Sequence, residues 1–94
     1  MNRDEFVEAL KAQIDEWNAD IAKMEAQMKT ASGDLERRYA EGVAEASRHR
    51  ADAQAKLAES LKHTTDSWER ARSDMEGAWK DVSEGFMKAW RRFE

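Results

Sequence analysis

His49 and His63 are the only imidazoles of this chain, fourteen residues apart, and there is no cysteine. A structural or catalytic zinc site needs three or four nitrogen and sulfur ligands at short, set spacings, such as the helical His-Glu-x-x-His. Neither histidine has such company, so both read as solvated helix residues. The 20 Asp and Glu are interspersed with 16 Lys and Arg. Pairs such as Glu25–Lys29 and Glu76–Lys80 lie four apart, the spacing of ion pairs on an exposed helix face. No hydroxyl is set with a base and an orienting acid, and the 4 glycines make no phosphate-cradling loop. The chain is therefore expected to carry no catalytic, cofactor-binding or metal-binding residue and not to be an enzyme.

The chemistry that remains is apolar recognition. Trp68, Trp79 and Trp90 recur every eleven residues; Ala71, Val82 and Phe93 keep the same phase, and Met75 aligns with Phe86. Eleven residues make about three helical turns, so the repeat returns to nearly one face. At roughly 100° per residue, Trp68, Met75, Trp79, Val82, Phe86, Trp90 and Phe93 fall within an arc of about 80°. Covering seven such side chains is worth on the order of 10–20 kcal/mol. Two covers are open. The stripe packs on another helix, or it docks on a membrane surface or a partner helix with the tryptophans at headgroup level. Residues 66–94 hold 6 basic and 7 acidic groups, a balance that gives little attraction to anionic lipid.

The element that would supply a packed cover is the first segment. Val7, Leu10, Ile14, Trp17, Ile21, Met24, Met28, Ala31 and Leu35 alternate steps of three and four, a heptad seam that needs a second helix along it. Asn2 with Glu5 forms a capping box, flanked by Met1 and Phe6 at the positions of a hydrophobic staple, so a helix starts at residue 3. The seam continues with a stutter through Tyr39, Val43, Ala46, Arg50, Ala53, Leu57 and Leu61. If facing residues have numbers that add to about 67, Leu10 meets Leu57, Ile14 meets Ala53, Ile21 meets Ala46, and large residues meet small ones. Trp17 then faces Arg50 as a cation–π pair. Residues 1–35 carry 4 basic and 8 acidic groups against 6 and 5 in 36–65, which favours the same antiparallel pairing. A hairpin and an antiparallel dimer would use identical contacts.

Two breaks interrupt this pattern. Ser32-Gly33-Asp34 is turn chemistry, although the seam keeps phase through it and a long helix tolerates one glycine at about 1 kcal/mol. Lys62 to Ser67 gathers β-branched and capping residues, and Asp66 with Glu69 marks a new start near residue 66.

Composition bounds the rest. The chain has 94 residues, 38% of them charged, 16 alanines and no proline, with only 12 Leu, Ile, Val and Phe. That supply suits an all-α seam and not a sheet. The net charge of −4 argues against nucleic acid as a partner. No apolar run approaches the roughly 18 residues of a bilayer span, and none resembles a signal peptide, so the expected site of action is cytoplasmic, at most peripheral to a membrane.

The opening Glu5-Phe-Val-Glu-Ala-Leu-Lys-Ala-Gln-Ile-Asp-Glu-Trp17 and the repeat Trp68…Gly77-Ala-Trp79…Gly85-Phe86…Trp90 resemble small bacterial coiled-coil proteins labelled as stress-response proteins. Gly33, Gly42 and Ala71 depart from that pattern. The resemblance implies a cytoplasmic bacterial helper protein and carries over no catalytic residue.

The expected architecture is all-α and a single helical unit over 1–94. Residues 3–62 would form one long helix in an antiparallel coiled coil, followed by an amphipathic helix over 66–93. The alternative is a three-helix bundle with turns near 31–34 and 63–66. The expected function is that of a non-enzymatic structural or interaction protein that self-associates through its seams as a homo-oligomer. Docking of the C-terminal helix on another helical protein or a membrane is the alternative.

Overall fold

Capping decides where the helices begin. In the computed structural model, which describes residues 2–93, the Asn2 side-chain oxygen accepts from the Glu5 N–H at 2.8 Å, and Glu5 returns the bond to the Asn2 N–H. This capping box opens α1, Arg3–Thr30. The staple expected between Met1 and Phe6 lies outside the described residues at Met1. Phe6 itself is buried in the core, 1% exposed.

The chain then turns at 31–33, and the continuous helix expected over 3–62 does not form. Gly33 takes φ 63° and ψ −136°, a backbone region that side chains disfavour, and α2 follows as Asp34–Leu61. The chain is thus the three-helix bundle that stood as the alternative, 53 Å long and 18 × 17 Å across. A straight helix over 3–62 would reach about 90 Å. Doubling back lets α1 cover its seam with the same chain, which an isolated long helix could not do.

The third helix, α3, Thr65–Trp90, starts earlier than the Asp66–Glu69 pair suggests. Thr64 is the cap: its hydroxyl accepts from the Ser67 N–H at 3.2 Å, and the Ser67 hydroxyl oxygen accepts from the Thr64 N–H at 2.8 Å. The short Thr-x-x-Ser reciprocal pair makes Thr64 the cap, so Asp66 lies inside the first turn, where its charge suits the helix dipole. A 3-10 turn, Arg91–Phe93, ends the described chain.

The three helices run up, down and up. α1 and α2 are antiparallel with Arg50 donating to the Asn18 side chain at 3.1 Å, a pair whose numbers add to 68, close to the expected register. The cation–π pair expected between Arg50 and Trp17 is replaced by that bond. Trp17 turns to α3, because a bundle shares one seam between two neighbours and α3 offers flat aromatic partners.

The helix α2 is the small-residue spine. Gly42, Ala46, Ala53 and Ser60 are its buried positions, spaced by four, seven and seven, while Val43 and Leu57 pack beside them. Small side chains let both other helices approach its backbone, which is why α1 and α3 each pack closely on α2 and only loosely on each other. Two glycines are required by proximity. A Cβ on Gly42 would lie 2.6 Å from the Phe93 ring, and one on Gly85 would lie 2.4 Å from the His49 ring. Leu35 and Leu61 are not seam residues here: they sit at opposite ends of α2 and are 45% and 57% exposed.

This spine makes a direct prediction. Ala46→Leu overfills a position that is 0% exposed and is expected to cost about 1–3 kcal/mol in urea unfolding. Ala44→Leu, on the exposed face of the same helix, should stay within about 0.5 kcal/mol. Equal losses at both positions would mean that residue size along α2 does not set the helix spacing.

Candidate interaction surface

The seam residues Val7, Leu10, Ile14, Trp17, Ile21 and Met24 are all buried in α1, with Phe6 added to them. Met28 is half-buried near the first turn. The Trp-rich stripe of α3 is likewise covered from within the chain. Trp68, Met75 and Phe86 are buried, and Trp79, Val82, Trp90 and Phe93 are partly buried against the same core. Seam and stripe, read as two surfaces in search of partners, are both covered within the chain, chiefly by α2 and in part by each other.

They meet through aromatic rings. Trp17 stacks on Phe86 with centroids 4.4 Å apart and planes 10° apart, and on Trp79 at 5.5 Å and 26°. Phe6 lies 5.0 Å from Trp68, and Tyr39 of α2 stacks on Phe93 at 4.6 Å. These contacts place α1 and α3 parallel, with partners about 62 to 69 residues apart. Wide rings also hold the two backbones apart, and a groove of about 370 Å³ runs between them.

Trp17, Phe86 and Trp90 form the apolar floor of this groove, and Gln13, Glu16 and Asp20 of α1 form one rim. On the other rim, Ser83 and Met87 of α3 also border a second depression of about 420 Å³ lined by Glu84, Lys88 and Arg91. Met87 is therefore a ridge between two hollows, and it is 49% exposed. An exposed, unbranched thioether is a side chain that adapts to varied apolar partners. One rim is acidic through Glu16 and Asp20, and beyond the ridge Lys88 and Arg91 stand with one carboxylate, Glu84.

Sequence reasoning missed this surface. Met87 is out of phase with the eleven-residue repeat, and the groove exists only because Trp17 faces α3. The available signal was a methionine next to Phe86 that no periodic stripe absorbed.

The two histidines lie on different elements. His49 lies in mid-α2 against Gly85, while His63 lies in the second turn with its Nδ1 3.0 Å from the Ser67 hydroxyl. Among the described residues no group of three or more His, Cys, Asp or Glu side chains is placed to hold a metal ion. Among them also, no buried side-chain N or O lacks a hydrogen-bond partner, and no helix is long and apolar enough to cross a membrane. No protein-family model, curated protein or solved structure matches this chain.

Proposed function

We propose that this chain is a non-enzymatic interaction protein that self-associates, with the groove between α1 and α3 as the surface by which bundles meet. The observation that carries this reading is Met87, a large apolar side chain half in solvent beside an aromatic-floored groove. The charges around it are self-complementary. Across a two-fold axis near Met87, Glu16 and Asp20 of one copy approach Lys88 and Arg91 of the other, and each Met87 enters the groove opposite. The resemblance to small bacterial stress-response proteins adds a stress-linked, cytoplasmic setting to this reading.

The other reading sends the Trp-rich stripe to a membrane or a partner helix. It requires α3 to leave the bundle, which would expose Trp68 and Phe86, each 1% exposed at present. Burial on that scale favours the groove.

Sedimentation equilibrium from micromolar to millimolar concentration tests the proposal. The wild-type chain should associate, and Met87→Glu should weaken association at least about tenfold, the effect of losing one well-packed contact per partner. Its helix content should be unchanged, since Met87 lies outside the core. Association that is indifferent to Met87→Glu and to added salt would remove the groove from the interface.

A further inference from the structure

The two turns of the bundle are held by unlike chemistry. The second, at 62–64, is fastened from several sides: Thr64 and Ser67 cap each other, His63 Nδ1 meets the Ser67 hydroxyl, and Arg3 of α1 donates to the His63 carbonyl. The first, at 31–33, has only local bonds at the end of α1, the Thr30 hydroxyl donating to the Gln27 carbonyl at 3.0 Å and the Ala31 N–H to the Met28 carbonyl at 3.3 Å. No side chain caps the start of α2, and Gly33 holds a backbone conformation at φ 63° that other residues rarely adopt. Nothing surrounds it, since a Cβ on Gly33 would meet no atom within 4 Å.

The apolar phase meanwhile runs straight through this turn. Met28, Ala31 and Leu35 keep the steps of three and four, yet Leu35 is 45% exposed just beyond it. α1 and α2 have 28 residues each and pair antiparallel about the turn. Two equal antiparallel helices keep every contact if the turn straightens and the partner helix comes from a second copy.

We infer that this chain exchanges α1 between two copies by straightening residues 31–33 into helix. Each chain of the dimer then holds one continuous helix from Arg3 to Leu61, and its α1 packs on α2 and α3 of the other copy. The Asn18–Arg50 bond and the Trp17–Phe86 and Phe6–Trp68 contacts become intermolecular without change. The two long helices cross near residues 33–34, where Leu35 of each lies opposite the small residues 31–33 of the other and gains the cover it lacks. Backbone groups at the end of α1 and the start of α2 that lie outside the i, i+4 ladder gain helical partners. This inference goes beyond the groove reading and does not depend on it, because each lobe of the exchanged dimer still presents Met87.

Opposed substitutions at the hinge provide the test. Gly33→Ala adds a helix-favouring residue where φ 63° is strained, and each dimer contains two hinges, so the association constant should rise about thirtyfold or more. Asp34→Pro suits the first position of α2 but breaks a continuous helix, and should lower association by more than about a thousandfold. The absence of native cysteine permits a spin-label pair at Ala12→Cys and Ala55→Cys, both exposed. Diluted in unlabelled chain, this pair should read within about 20 Å in the monomer and about 65 Å in the Gly33→Ala dimer.

A Gly33→Ala chain that stays monomeric to millimolar concentration, or a dimer that keeps the short distance, overturns the exchange. If Asp34→Pro loses helix content, the distance in Gly33→Ala decides alone. Met87→Glu separates the two proposals, because it dissolves a groove dimer and leaves an exchanged one intact.

Discussion

Alanine at both Ile14 and Ile21 unfolds the bundle. The two side chains are 6% and 2% exposed and sit two turns apart on α1, at the centre of the only core the described chain has. Each truncation removes three methyl or methylene groups from a closed seam and costs about 2–5 kcal/mol. Their Cα atoms are about 10 Å apart along the helix, so the losses should nearly add. A domain of this size has about 5–15 kcal/mol in total. Far-UV circular dichroism should show most helix content lost, or a urea midpoint moved close to zero. A double variant with the wild-type midpoint would mean that the seam does not hold the fold.

Trp17→Ala is expected to be the most damaging single substitution, at about 3–5 kcal/mol. Trp17 is 3% exposed and stacks on two rings of α3, Phe86 and Trp79. Its loss removes the large apolar surface that joins α1 to α3, together with stacking worth about 0.5–1.5 kcal/mol beyond burial. The α2 spine cannot close the gap, since its small residues already let the backbones approach as near as they can. Trp17→Phe, which keeps a stacking ring, should retain more than half of the lost stability. Trp79→Ala, at a partly exposed position, should cost less than Trp17→Ala. The ranking is read from urea unfolding of the three variants. A Trp79→Ala loss equal to that of Trp17→Ala would place the α1–α3 junction elsewhere.

The all-α class, the cap at Asn2, the break before α3 and the two apolar faces were legible in the sequence, whereas the turn at 31–33 stood only in the alternative, because the apolar phase runs on through it. These follow from short-range rules: a side-chain oxygen three residues from an N–H, steps of three and four, an eleven-residue return to one face. The α1–α2 register was legible too, because large residues in one segment matched small ones in the other. Less local features were not. Thr64 and not Asp66 caps α3, since the reciprocal bond with Ser67 depends on the exact backbone path into the helix. Gly42 is explained only by the Phe93 ring that lies on it.

What the sequence by itself determined about this protein is helical segments with defined apolar faces and a capped start at Asn2. The tertiary structure decided how those faces are shared. A heptad seam states that a helix needs cover but not whether the cover comes from one neighbour or two, because the energy of a contact is the same within a chain and between chains. With α3 present as the second neighbour, Trp17 leaves Arg50 for Phe86, and the chain folds back at Gly33 to bring all three faces together. The wide rings between α1 and α3 then open the groove beside Met87, a surface that no single helix contains and that arises only where two of them are held apart.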